Sequence, residues 1–218
     1  MFNEIIKNLD FISPFIVLLY AIIFRKIKGD SRYIFYYVLM QAILNFTASI
    51  IVDVFFKTNN IWLYQLNCFL SFVILFSFFK KFIFFRVSNL AINIFAAVFM
   101  CFLAIIIFFE SQNAFNSLSY TTVSIAITFL CLNYYWFLIS KMPTESILKN
   151  PFFFIVTGLL IYYSSNILVF ASYRFLTIEH VQTKSFWILW KFHNFMLTLM
   201  CIFILKGFTC VTSPKTRS

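Results

Sequence analysis

The feature that most constrains this chain is a series of seven long apolar runs separated by short polar breaks. They cover about residues 9–24, 33–56, 61–79, 90–109, 118–140, 151–172 and 186–205. A helix needs roughly 20 mostly apolar residues to cross the ~30 Å hydrocarbon core. Six of the runs come up to that length, and 9–24 is the shortest. A transmembrane β-barrel would instead show alternating segments of about 10 residues, with frequent turn residues. These runs are continuously apolar, and the whole chain of 218 residues holds only 3 Gly and 4 Pro. Helices also satisfy their own backbone polar groups in lipid. The sequence therefore predicts an all-α fold, a polytopic bundle of seven transmembrane helices forming one domain over residues 1–218.

Composition narrows the function classes. Hydrophobic residues make up 62% of the chain and charged residues 11%, against about 25% charged in a soluble domain. That excludes a soluble globular enzyme, a disordered chain and a secreted disulfide scaffold. No connecting segment exceeds about a dozen residues, so there is no room for a kinase, nuclease or nucleotide-binding domain. Any signalling output has to pass through a separate partner.

Charge sets the expected orientation. Glu4, Lys7 and Asp10 precede the first apolar run, while Arg25, Lys26 and Lys28 follow it, and no A-x-A-like cleavage site is present. This order argues against a cleaved signal peptide and for an outside N-terminus. The cytoplasmic segments then carry Arg25, Lys26, Lys28, Arg32, Lys80, Lys81, Arg86, Lys141, Lys149, Lys206, Lys215 and Arg217, which is 12 of the 17 basic residues. The outer side carries Lys7, Lys57, Arg174, Lys184 and Lys191. The positive-inside rule predicts N-out/C-in. The net charge of +10 follows from topology and from anionic lipid at the cytoplasmic face. Nucleic acid is not an expected partner, because the basic residues are spread over four short segments.

The informative positions are those where polar groups interrupt the apolar runs, since ionisable residues in the membrane tend to face a bundle interior or a cavity. Asp53 and Lys191 are the two clear cases, and both are expected roughly 5–8 Å from the outer helix ends. Gln65, Asn67, Asn166, His193 and Asn194 fall in the same outer half. These seven residues define an expected ligand-binding pocket open to the outer face, built from helices two, three, six and seven. The competing reading has Asp53 and Lys191 snorkelling to the interface and the amides joining helices. Gln41, Asn45, Ser49 and Asp53 recur at i, i+4 on helix two, so they share one face. That stripe suits an interhelical hydrogen-bond seam or, as the alternative, a path through the membrane. His193 is the one imidazole placed to titrate within this region.

Other chemistry finds little support. No CxxC pair occurs, only two histidines are present, and none of the five cysteines falls in an outer loop. Neither a metal site nor a structural disulfide is expected. No cofactor and no catalytic residue is assigned, and Asp53 with His193 is the only acid–imidazole pair for a membrane-embedded enzyme. Lys191 in the last helix invites comparison with the microbial retinal proteins, which carry an aspartate four residues earlier. Trp187 stands there instead.

Two stretches carry a likeness to known proteins. Asn150-Pro151-Phe152-Phe153-Phe154-Ile155, with Gly158 through Tyr163 and Asn166, resembles the sixth helix of a group of small, mostly uncharacterised integral membrane proteins of Bacteroidetes-type bacteria. Trp190-Lys191-Phe192-His193 resembles that group's Trp-x-x-His in the last helix. The likeness is best over the last seventy residues or so and implies a fold, with no function attached. Cys68 stands near where many members are expected to carry an acid, so this chain departs from the group there. In physical terms Pro151 suits a first helical turn, and Gly158 permits close helix approach.

The expected protein is thus a multi-pass protein of a bacterial inner membrane. Its expected role is a sensor-like or accessory signalling module with an outward-facing polar pocket. The expected partners are the lipid bilayer, a cytoplasmic signalling protein or membrane partner, and a small-molecule or lipid ligand. A small transporter or channel is the first alternative, and a lipid-modifying enzyme the second.

Overall fold

The computed structural model describes residues 9–49, 61–83, 88–110, 117–141, 147–178 and 183–211. Within them run seven α-helices: α1 (Leu9–Ile23), α2 (Ser31–Phe46), α3 (Ile61–Ile83), α4 (Asn89–Phe109), α5 (Ser117–Lys141), α6 (Pro151–Ile178) and α7 (Thr183–Cys210). One wider π-type turn continues α2 over residues 47–49. The protein is an all-α, multi-span bundle of the membrane type. Helices α3 to α7 are each long and apolar enough to cross a bilayer, while α1 is a shorter apolar helix of 15 residues.

The last two helices are longer than their apolar runs. Both α6 and α7 have 28 residues, which at 1.5 Å per residue is ~42 Å. This exceeds the ~30 Å hydrocarbon core, so their polar end turns, with Arg174 and Lys184, continue helically beyond the apolar stretch. Local signals set the ends. The Asn150 side chain accepts from the Phe152 N–H at 2.9 Å, with Pro151 in the first turn, where its missing N–H costs nothing. Ser88 caps α4 by accepting from the Ala91 N–H. Gly29, with φ of +53°, takes the left-handed conformation that turns α1 into α2.

Packing joins six helices into a closed ring. Each of the successive pairs α1–α2, α2–α3, α3–α5, α5–α6, α6–α7 and α7–α1 makes a substantial interface. Helix α4 stands outside the ring and touches α3 and α5 only thinly. Of its residues only Ile92 and Leu103 are buried, while Val98, Phe102, Phe108 and Phe109 are exposed. The ring is filled by aromatic and aliphatic side chains, including Tyr37, Phe72, Phe79, Ile127, Ile155, Leu197 and Phe208.

The tightest contact is α6 against α7. A Cβ added at Gly158 would lie 2.7 Å from Phe203 Cβ and 3.0 Å from the Met200 carbonyl oxygen. One at Gly207 would lie 2.5 Å from Ile155 Cγ1 and 2.8 Å from the Pro151 carbonyl oxygen. The backbones approach this closely only because both residues lack a side chain, the usual device of helix association in lipid.

The two ends of the bundle differ in charge. One end gathers the α1–α2 turn with the C-termini of α3 and α7 and the N-terminus of α4. There Lys26 Nζ donates to the Val211 carbonyl at 2.6 Å, Lys81 pairs with Asp30 at 3.0 Å, and Lys80 Nζ donates to Asn93 Oδ1 at 2.9 Å. Lys26 thereby sits at the negative end of the α7 dipole. Arg25, Lys28, Arg32 and Lys149 are exposed at this basic end. The far end holds Asp10 and Glu110. The Glu110 carboxylate closes α4 and accepts from the backbone N–H groups of Leu118 (2.7 Å) and Ser119, and from the Ser119 hydroxyl (2.6 Å). It thus satisfies N–H groups that the first turn of α5 leaves open.

Replacing Gly158 with valine is expected to destabilise the bundle by about 1–3 kcal/mol through overpacking. A lower melting temperature in detergent will register it. Phe195→Leu, on the exposed face of α7, should leave the melting temperature unchanged.

Candidate functional site: a buried polar seam

The polar residues of the bundle interior are joined across helices, and the seam starts from a proline. Pro14 lies inside α1. It has no N–H to give the carbonyl of residue i−4, which here is Asp10. In lipid a freed carbonyl must find another donor. Asn45 of α2 supplies it, with Nδ2 at 3.0 Å from the Asp10 oxygen. One turn further along α2, the Ser49 hydroxyl donates to the Asp10 carboxylate at 3.3 Å. Asp10 is 6% exposed, and its carboxylate also accepts the Phe11 N–H at 3.0 Å.

One turn before Asn45, Gln41 is clamped to α3. Its Nε2 donates to Asn67 Oδ1 at 2.9 Å, and its Oε1 accepts from Asn67 Nδ2 at 3.0 Å. This is a reciprocal amide pair between two helices. The Ser71 hydroxyl completes it, donating to Asn67 Oδ1 at 2.9 Å and accepting from Gln41 Nε2 at 3.2 Å. Tyr163 of α6 is buried in the same interior. Its hydroxyl shares a 3.0 Å hydrogen bond with the Tyr37 hydroxyl of α2, which lies 3.7 Å from the Met200 sulfur of α7. All these groups are buried. Neutral amides and hydroxyls that pair so completely hold helices in register, and each such bond in lipid contributes about 0.6 kcal/mol on average.

The second focus joins α6 and α7. His193 Nδ1 lies 2.9 Å from Asn166 Oδ1, and the two residues are 8% and 1% exposed. With Asn166 Oδ1 as acceptor, the Nδ1 of His193 carries the proton. Asn166 Nδ2 is buried and makes no hydrogen bond of good geometry, although the Tyr162 hydroxyl lies beside the amide. The imidazole and neighbouring aromatic side chains close a ring. His193 contacts Phe170 (5.3 Å between centroids) and Trp190 (5.3 Å), Trp190 contacts Tyr64 (5.6 Å), Tyr64 contacts Tyr120 (6.4 Å), and Tyr120 contacts Phe170 (4.5 Å). Tyr162 packs below His193 at 5.5 Å. The ring draws on four helices (α3, α5, α6 and α7), and the imidazole is one of its five members. The arrangement places two hydrogen-bonding functions, the Asn166 amide and the imidazole, side by side among aromatic rings.

The residues expected from the sequence fall into distinct places. Asn67 joins the Gln41–Ser71 clamp, and Asn166 joins His193. Asn194 is buried beside His193 on α7, at 1% exposure. Gln65 is half-buried on α3, and Lys191 is exposed on α7, outside the buried seam. Asp53 lies outside the described residues. A cleft of about 630 Å³ between α6 and α7 at the far end is lined by Ala171, Ser172, Phe175, Leu176, Ile188 and Leu189, none of them an expected site residue. Sequence reasoning missed the part played by Asp10 and Ser71, and the Tyr120 and Phe170 walls of the imidazole site. Pro14 was the available signal for Asp10, because an intrahelical proline announces a carbonyl in need of a donor. Comparison with family models, with curated proteins and with solved structures gave no match for this chain.

The pairing of Pro14 with Asn45 has a measurable signature. Asn45→Leu is expected to cost about 1–3 kcal/mol, the usual penalty for a buried acceptor left unmade. In a Pro14→Ala background the new N–H can serve the Asp10 carbonyl, so the same substitution should cost clearly less. A double-mutant cycle on unfolding in detergent measures this coupling, and purely additive effects would contradict it.

Proposed function

We propose that the chain is a non-catalytic, sensor-like module of a bacterial inner membrane, with seven spans and an N-out/C-in orientation. The observation that carries this reading is the His193–Asn166 pair, buried beside the aromatic side chains of Tyr162, Phe170 and Trp190, with no well-formed hydrogen bond at Asn166 Nδ2. Buried amide N–H groups are costly to leave unbonded. A small molecule or lipid headgroup carrying an acceptor would satisfy this one and alter the contact between α6 and α7. The change would be transmitted to the basic end, where exposed Arg25, Lys28, Arg32 and Lys149 form a surface suited to a cytoplasmic signalling partner. The basic end faces the cytoplasm under the positive-inside rule. The likeness of the last two helices to small Bacteroidetes-type membrane proteins belongs to this proposal and supports a bacterial source.

The orientation has a direct test. In a cysteine-free background, Ser88→Cys at the basic end should react with a membrane-impermeant maleimide only after the cells are opened. Labelling of intact cells would reverse the proposed orientation.

For the ligand, the protein in native-lipid particles should carry a small molecule identifiable by mass spectrometry. Asn166→Leu and His193→Leu should each lose it while the bundle still folds. If neither variant changes what co-purifies, the site is packing alone. Transport is the other reading, and a solute or ion flux in proteoliposomes that depends on the Gln41–Asn67 clamp would favour it over sensing.

A further inference from the structure

Helix α4 is fastened at both ends and packs thinly between them. At the basic end, Lys80 of α3 holds Asn93 of α4 at 2.9 Å. At the far end, the Glu110 carboxylate that closes α4 is held by the first turn of α5. Between these two fastenings Leu103 is buried and Phe99 stacks on Phe72 of α3 at 4.2 Å, but contact with α3 and α5 is otherwise thin. There a lateral cleft of about 440 Å³ is lined by Phe72 and Phe76 of α3, Phe95 and Phe99 of α4, and Ala126 and Phe129 of α5, among others. Protein interiors rarely keep voids larger than a water molecule. An apolar cavity does not fill with water, and much smaller apolar cavities take up hydrocarbon guests.

We propose that this cleft holds one acyl chain of an anionic phospholipid whose phosphate sits at Lys80. Three observations fix that choice. The walls are almost wholly apolar, which matches a hydrocarbon chain. On α5 the lining runs from Thr122 to Leu130, ~12 Å along the helix axis, and on α3 it continues through Phe72 and Phe76 toward the basic end, a length suited to one extended acyl chain. The cation stands at the right place, because Lys80 lies one turn beyond Phe76 on α3, toward the basic end. Asn93 takes one of its ammonium protons, and a lysine has three to give. Lys81 beside it is paired with Asp30, so among the described residues Lys80 is the cation of α3 that faces α4. Basic residues near the cytoplasmic surface favour anionic lipid in the same sense. The lipid would fill out the thin α3–α4–α5 interface beside the Phe72–Phe99 stack. This site is separate from the imidazole site, and the inference does not depend on the sensing role.

The test uses the full chain purified in detergent and titrated with phosphatidylglycerol or phosphatidylcholine of matched acyl chains, with bound lipid counted by native mass spectrometry. Wild-type protein should retain one phosphatidylglycerol more firmly than phosphatidylcholine. Ala126→Trp, which fills the cleft, should weaken lipid retention by about tenfold or more, equivalent to losing the burial of about two methylenes. It should not lower the melting temperature, since it replaces a void with side chain. Lys80→Gln should remove the preference for phosphatidylglycerol while chain binding persists. The proposal is overturned if wild-type protein retains no lipid, or if Ala126→Trp holds lipid as well as wild type. It is also overturned if Ala126→Trp instead dissociates a dimer, which would make a helix of a second copy the occupant.

Discussion

Lipid supplies no hydrogen bonds, and most of the polar interior follows from that constraint. Each helix answers it for its own backbone, except where a residue cannot donate. Pro14 creates such a place, the Asp10 carbonyl, and the bundle meets it by bringing Asn45 of α2 alongside. With α1 and α2 tied there, Gln41 lies one turn further on, facing Asn67 and Ser71 of α3. Tyr37, one turn before Gln41 on α2, then meets Tyr163 of α6. A polar group buried without water has few acceptable neighbours, so each of these pairs restricts the rotation and depth of the next helix. Dispersion packing among so many phenylalanines would tolerate small slips along the helix axes. The directional amide pairs do not.

The same constraint explains why α4 is different. Between Asn93 and Glu110 its sequence holds no polar side chain except Cys101, so it has nothing to contribute to the seam. Its only polar attachments are at its ends, where water and headgroups soften the cost of a charge. The ring closes without it, through α3 against α5, and α4 is left against the ring's outer surface with most of its apolar face exposed. In a membrane that face is already in its preferred solvent, so burial against protein gains little, and a cleft can persist beneath it.

The α6–α7 pair shows how local and distant information divide. Pro151 and Asn150 as a helix start, and Gly158 as a point of close approach, are legible in sequence because each acts through its own backbone. That His193 meets Asn166 is not legible. Many helix rotations would bury both, and the one adopted depends on Gly158 and Gly207 bringing two backbones together. The i, i+4 stripe on α2 could be read as one face. Its partners could not, since they depend on which helices close the ring. Lys191 lies two positions before His193, and on a helix that rotation carries it to the exposed side.

The sequence by itself determined that this is a helical membrane protein, where its apolar helices lie, and that its basic residues concentrate at one end. Those properties depend on the transfer of side chains and backbone between water and hydrocarbon, which is additive along the chain and needs no knowledge of neighbours. Only the tertiary structure decided that six helices close a ring with α4 outside, that Asn45 serves the Asp10 carbonyl, and that His193 joins a cycle of aromatic side chains drawn from four helices. Those outcomes depend on directional contacts between residues far apart in the chain, such as the 126 positions between Tyr37 and Tyr163. No local pattern encodes which of several hydrogen-bonding partners a buried group will meet.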